Sequence, residues 1–318
     1  MKILIQYPFQ EKEIQAFRAV AEKHGGHELH HVTTEEEALR LAPDVEVVIG
    51  HFRPSVCAAA PGLRWVQSFS AGMDNFLFPE IVERDVMVSN AAGLHASQGG
   101  EHAWALLLAL TRGIPHGVRS QDRGEWKGGS PPIELAGGTL GVIGLGGFGM
   151  EMVKRAAGYG MTVLTLDPVR VQKPEGVAEL KPPTHENLYD LLRRSDAVMI
   201  ACPRTPETYH LIGREALVAM KNTAYLINVT RGGIVDEASL IDALERGEIA
   251  GAALDVCEQE PLPPDSPLWR APNLILTPHR AGASQHRPQR LFEFFLKNLE
   301  RYLQGEQPLN LVDKERGY

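Results

Sequence analysis

Along this chain, short apolar runs rich in Val, Ile and Leu alternate with stretches whose apolar positions recur at helical spacing. That alternation predicts βαβ units and a parallel sheet, hence an α/β fold. In the first third the pattern predicts strands at 2–6, 45–49, 64–68 and 86–89. A second series falls at 139–143, 162–166, 197–201, 224–228, 251–254 and 274–276. Between the two series, residues 101–111 read as a helix apolar on every side, which predicts complete burial. The chain closes differently. Leu291, Phe292, Phe295, Leu296, Leu299, Tyr302 and Leu303 share one helical stripe, and Gly305 is placed to stop that helix. Residues 123–132 and 260–267, rich in Gly or Pro, are predicted as ordered connections, and no repeat occurs at solenoid periods.

Length adds that 318 residues are too many for one average core, so two domains are expected. The 32 Lys and Arg against 40 Asp and Glu give a net charge of -8. That balance disfavours nucleic-acid binding, which relies on cations to neutralise phosphates. The opening Met1-Lys2-Ile3-Leu4-Ile5-Gln6-Tyr7-Pro8 has an apolar run too short for a secretory signal, so a cytoplasmic location is expected. The longest unbroken apolar run, 103–110, falls far short of a membrane span, and no membrane partner is expected. Cys57, Cys202 and Cys257 are odd in number and lack a CxxC, which predicts reduced thiols rather than a disulfide framework or a zinc site. His24, His27, His30 and His31 cluster near the first helix-to-strand turn. Nothing else there supplies convergent ligands, so no metal is expected.

Chemistry enters with Gly144-Leu145-Gly146-Gly147-Phe148-Gly149, a GxGxxG between the strand pattern at 139–143 and a helical pattern at 150–157. The first glycine permits a tight turn, the second lets backbone approach a pyrophosphate, and the third lets helix pack on strand. Amides at the helix start then meet the phosphate charge. Such glycine-rich turns are common, so context must decide. The next predicted strand ends in Asp167, 18 residues after Gly149, where an acidic side chain accepts hydrogen bonds from an adenosine ribose. A carboxylate there repels a 2′-phosphate and favours NAD over NADP, although Arg170 nearby pulls the other way. The bland alternative for Asp167 is a turn cap before Pro168.

Three later segments complete the pattern: Asn228-Val229-Thr230-Arg231-Gly232-Gly233-Ile234-Val235-Asp236-Glu237, Ala252-Ala253-Leu254-Asp255-Val256-Cys257-Glu258-Gln259-Glu260-Pro261-Leu262, and Leu276-Thr277-Pro278-His279-Arg280-Ala281-Gly282. With the glycine turn and Asp167, these closely resemble the D-isomer-specific 2-hydroxyacid dehydrogenases over almost the whole chain. The resemblance implies an NAD-dependent oxidoreductase moving a hydride to or from C2 of a small, D-configured 2-hydroxy or 2-keto acid. It implies Arg231, Glu260 and His279 as the catalytic set. A keto carbon receiving hydride develops an alkoxide, which needs a proton donor near neutral pH, and histidine titrates there. A carboxylate on the far ring nitrogen holds the tautomer, and a planar, permanently charged guanidinium suits the substrate carboxylate and carbonyl.

By the same resemblance Asp255 holds the nicotinamide carboxamide, and Gly147, Phe148, Val229, Thr230, Arg231, His279 and Gly282 line the cofactor. Ser70-Ala71-Gly72-Met73-Asp74 matches the loop whose amides bind the substrate carboxylate. The implied architecture is two Rossmann-like doubly wound domains. A flavodoxin-like substrate domain of residues 1–97 and 284–318 accompanies an NAD-binding coenzyme domain of residues 98–283, with the active site in their cleft and a homodimer through the coenzyme domain.

The chain also departs from the family. Gly99-Gly100-Glu101 stands where Val-Ala-Glu is frequent, which suggests a close backbone approach, a hinge, or a neutral change. Arg204 and Arg280 replace apolar residues and face either an anionic group or solvent. His51 and Arg53 follow the strand pattern at 45–49, where phosphate-binding members carry a substrate-contacting arginine; an exposed turn is the alternative. Trp269 lies near the substrate side by resemblance, though a large aromatic is more often core. Glyoxylate and hydroxypyruvate head the substrates, with pyruvate, longer keto acids and 3-phosphohydroxypyruvate open. Two other readings remain: a phosphite-type dehydrogenase on the same scaffold, and an NAD(H)-sensing, co-repressor-like binding protein. Glu260 speaks against formate oxidation, whose enzymes pair the histidine with Gln.

Overall fold

In chain order the elements of the first part are β1 (Lys2–Gln6), α1 (Glu11–Lys23), β2 (Glu28–His31), α2 (Glu35–Leu41), β3 (Val45–Gly50), α3 (Pro54–Ala58), β4 (Trp65–Ser68), α4 (Pro79–Val82) and β5 (Met87–Ser89). There follow α5 (Ala96–Thr111), α6 (Ile114–Asp122), β6 (Thr139–Ile143), α7 (Gly147–Ala157), β7 (Thr162–Leu166), β8 (Glu179–Lys181), α8 (His185–Arg194) and β9 (Ala197–Ile200). The chain then forms α9 (Arg214–Ala219), β10 (Tyr225–Asn228), α10 (Glu237–Glu245), β11 (Gly251–Leu254), β12 (Leu274–Leu276) and α11 (Arg287–Leu303). The structure is a computed structural model describing residues 1–129 and 131–318; Ser130, inside the predicted connection 123–132, lies outside the described residues. Contacts divide the chain into two units, Met1–Leu94 with Ser284–Tyr318, and His95–Ala283.

The first unit carries a parallel sheet ordered β2-β1-β3-β4-β5, the flavodoxin-like arrangement. Strands buried on both faces have to be apolar throughout, which is why β1 and β3 read as unbroken runs. On one face Ile3, Ile5, Val47, Ile49 and Trp65 pack with Ile14 and Phe17 of α1 and with Leu291, Phe295 and Leu299 of α11. Burying each such side chain is worth roughly 1.5–3 kcal/mol. The closing helix is therefore a cover for this sheet. Its predicted stripe is the buried one, and Gly305, at φ 79°, takes the left-handed turn after it.

The second unit carries a parallel sheet ordered β12-β11-β10-β9-β6-β7-β8. Strand order reverses between β6 and β9, the place where open α/β sheets bind ligands beyond their carboxyl ends. Helix α5 starts five residues before the predicted 101–111, and its two glycines explain how it packs on α7. A Cβ on Gly99 would lie in the Phe148 ring and one on Gly100 would press on Glu151. Close backbone approach, of the three options, accounts for this departure.

Three expectations need correction. Burial of 101–111 is incomplete: Ala105 is exposed and Leu108, Ala109 and Leu110 are half-buried, because their own chain does not cover that face. Strands β2 and β8 were absent from the pattern because both are polar, half-exposed edge strands. Trp269 is half-exposed rather than core. Among the described residues, no helix is long and apolar enough to cross a membrane.

Candidate active site

The glycine turn joins β6 to α7 at the switch point. Gly144 sits at φ 95°, and a Cβ there would meet Cys202 N at 2.7 Å and Ala201 O at 2.8 Å. A Cβ on Gly149 would run into the Gly144 carbonyl, whereas one on Gly146 meets nothing within 4 Å. The first and last glycines are thus required by the chain's own packing, and the middle one leaves open space at the α7 N-terminus. That combination fits a dinucleotide pyrophosphate. Asp167 follows β7 and accepts from Leu145 N at 2.8 Å, Val169 N at 2.9 Å and Arg170 N at 2.8 Å. These contacts are those of a turn cap that also ties the end of β7 to the glycine loop. The Arg170 and Arg204 side chains are exposed.

At the carboxyl ends of β10, β11 and β12, polar side chains shape the loops that follow. Asn228, unremarked in the sequence, accepts from Thr230 N and Oγ1, each at 3.1 Å, and donates to Arg231 O at 2.8 Å. Val229 and Thr230 are buried beside it, and Arg231 Nη1 donates to Thr230 O at 2.7 Å. A Cβ on Gly232 would occupy the Cys257 carbonyl, so the Arg231 loop lies directly on the loop carrying Glu260.

The pair predicted for acid–base work is formed. His279 Nδ1 lies 2.6 Å from Glu260 Oε2, and Glu260 Oε1 accepts from Cys257 N at 3.0 Å. With an acceptor on Nδ1, that nitrogen carries the hydrogen, which leaves Nε2 to exchange a proton. Two residues away, Glu258 accepts from His210 Nε2 at 3.0 Å, and its amide donates to Glu237 Oε1 at 2.6 Å. The Cys257 thiol, pushed up to about 12 by burial and then by Glu237, Glu260 and Asp255, stays protonated and is no nucleophile. An apolar cavity of about 550 Å³ opens beside the pair, lined in part by Pro261, Leu262, Trp269, Leu276 and Pro278.

Asp255, expected at the nicotinamide carboxamide, is turned wholly inward. Its Oδ1 accepts from Thr277 Oγ1 at 2.5 Å and Arg280 N at 2.9 Å, and its Oδ2 from Ala281 N at 2.7 Å. Burial alone would raise this carboxyl, but hydrogen bonds from His102, Thr277 and the two amides outweigh it and leave the group below its ordinary value. Gly282 closes the turn, its carbonyl accepting from Gln98 Nε2 at 3.3 Å.

In the first unit, the carbonyls of Ser70 and Ala71 are pinned by Ala91 N at 2.8 Å and Asn90 Nδ2 at 3.0 Å. The amides of Ala71 and Gly72 have no hydrogen-bond acceptor among the described residues. His51 is brought to this loop: its ring lies 4.3 Å from that of Phe69 and 5.6 Å from that of Tyr7. Burial and then Arg53 hold its imidazole below the ordinary value. Arg53 is not brought there; it pairs with Glu35 at 3.3 Å on an exposed surface.

The family model described as D-isomer specific 2-hydroxyacid dehydrogenase, NAD binding domain, matches residues 104–281. A glyoxylate reductase of Korarchaeum cryptofilum is 41% identical over 268 residues, 82% of this chain and 79% of that protein. A D-3-phosphoglycerate dehydrogenase of Methanocaldococcus jannaschii is 35% identical over 98% of this chain, which spans 59% of that protein. A solved D-isomer specific 2-hydroxyacid dehydrogenase of Xanthobacter autotrophicus Py2, in complex with NADPH and MES, superposes at a TM-score of 0.83 with 30% identity, over 100% of this chain and 99% of the other.

Proposed function

This chain belongs to the D-isomer specific 2-hydroxyacid dehydrogenase family, and from that premise we propose that it reduces glyoxylate- or hydroxypyruvate-type 2-keto acids with NADH. It is an oxidoreductase of CH–OH donors with a nicotinamide dinucleotide-binding domain. The hydrogen bond between His279 and Glu260, at 2.6 Å, carries the reading, because it leaves Nε2 as the one ring atom available to a substrate oxygen.

Gly144, Gly146, Gly147, Phe148 and Gly149 hold the pyrophosphate end, with Asp167 on the adenosine ribose. Val229, Thr230 and Gly282 flank the nicotinamide end, which Asp255 shapes through the turn it holds. The bound nicotinamide supplies the hydride or accepts it. Protonated His279 gives its Nε2 proton to the keto oxygen during reduction and, when neutral, takes the hydroxyl proton during oxidation. Glu260 holds the ring and stabilises its cationic form. Arg231 clamps the substrate carboxylate and carbonyl, and the amides of Ala71 and Gly72 bind the same carboxylate. His51 is the remaining candidate for the far end of the substrate, while Arg53 is held by Glu35.

Carboxylate charge at Asp167 supports NAD over NADP. A homodimer through the second unit accounts for exposed Ile114 and Val118 on α6 and fully exposed Trp126 beyond it; sedimentation at the monomer mass would remove it. The primary test follows NADH and NADPH oxidation against a panel of 2-keto acids. Strong turnover of glyoxylate or hydroxypyruvate with NADH is expected. NADH binding without turnover of any acid would overturn the reading in favour of a sensor or of phosphite-type chemistry.

A further inference from the structure

We propose that His102, on α5, is a positioning residue for His279, acting through Thr277 and Asp255; this rests on the acid–base role given to His279 above. Thr277 Oγ1 lies 2.5 Å from Asp255 Oδ1 and 2.9 Å from His102 Nε2. A threonine hydroxyl has one hydrogen, and an ionised carboxylate can only accept. The hydroxyl therefore donates to Asp255 and must accept from His102, which places a hydrogen on Nε2. That same hydrogen faces Asp255 Oδ1, 3.3 Å away. The direction of the whole chain, His102 to Thr277 to Asp255, follows from the carboxylate at its end.

What this chain secures is a strained turn. His279 has φ 50°, a left-handed conformation unfavourable for a side chain with a Cβ. Its amide donates to Asp255 O at 2.8 Å and Thr277 O at 3.0 Å, and the next two amides donate to the Asp255 carboxylate. The amides of His279, Arg280 and Ala281 are thus all anchored on Asp255 or Thr277. The Asp255 side chain has none of its surface exposed, so its charge relies on these donors, and His102 is the one contributed by another element. Without His102, the Thr277 hydroxyl and the Asp255 carboxylate lose the donor they share, and the turn they anchor loses the orientation that sets His279 against Glu260. Such a displacement acts on the chemical step and leaves cofactor binding at the glycine turn alone.

The test compares His102→Leu, His102→Gln, Thr277→Val and the double variant His102→Leu/Thr277→Val, with His279→Gln in parallel. For His102→Leu, kcat is expected to fall by about 10- to 100-fold, as a misplaced reacting group costs, with a much smaller change in the NADH dissociation constant, since the glycine turn is untouched. His102→Gln, whose amide reaches the Nε2 position, should recover most of the loss. In the Thr277→Val background, His102→Leu should cost little more, since coupled residues are non-additive. The proposal is overturned if His102→Leu retains kcat, if Gln fails to rescue, or if the two effects add. If His102→Leu does not fold, the Gln variant alone decides, because kcat near the wild-type value is required of it. Activity retained in His279→Gln would instead overturn the underlying acid–base reading.

Discussion

The carboxyl edges of the two sheets are built alike in topology and unlike in the forces that hold them. At the ends of β10, β11 and β12, Asn228, Asp255 and Thr277 each direct hydrogen bonds into the following loop. At the ends of β1, β3 and β4, Tyr7, His51 and Phe69 meet through their rings, with centroids 4.3 to 5.9 Å apart. Hydrogen bonds fix atoms to tenths of an ångström, while ring contacts are broad in orientation and allow repacking. On the function proposed above, the hydrogen-bonded edge would serve proton transfer at a single nitrogen, and the aromatic edge recognition of a side chain whose size varies. Buried Gln6, at the end of β1, even leaves its Oε1 without a partner among the described residues, which no buried side-chain polar atom described at the second edge does.

The sharpest way to break this comparison is His279→Gln, which keeps the size of the side chain and removes its titration. Loss of a general acid–base group predicts kcat lower by about 10³-fold with NADH binding retained. A loss of only a few-fold would mean that the ordered edge does not carry the proton. A smaller effect is expected at the aromatic edge. Removing one ring pair is worth roughly 0.5–1.5 kcal/mol, so His51→Ala should redistribute kcat/KM among keto acids of different size by about threefold to tenfold. Uniform values across the panel would show that the rings are scaffold only. Smallest of all is Arg53→Ala, since an exposed ion pair such as that with Glu35 contributes about 0–1 kcal/mol. A marked loss specific to phosphorylated acids would show that Arg53 exchanges Glu35 for substrate.

Much of the fold was legible because buried parallel strands must be apolar on both faces, so β1, β3, β6, β9 and β10 appear as runs with ends correct to about one residue. β2, Glu-Leu-His-His, and β8, Glu-Leu-Lys, lie at sheet edges, face water, and need no such run. The glycine turn, Asp167 and the His279 segment were legible for a related reason: each is contiguous, and a tight turn or a ligating side chain constrains its neighbours in sequence.

What the sequence by itself determined is therefore what depends on near neighbours: the alternation of elements, the glycine turn between β6 and α7, and the segments that carry the proposed site residues. Only the tertiary structure decided which of them meet. Gly99 and Gly100 are small because Phe148 and Glu151 of another helix fill the space a side chain would need. Arg53 is drawn off to Glu35, and His102 reaches Thr277 and Asp255 from α5. Such contacts join residues far apart in the chain, so no spacing or composition encodes them; packing of the helices on the sheet brings the atoms within hydrogen-bonding distance, and chemistry follows from that distance.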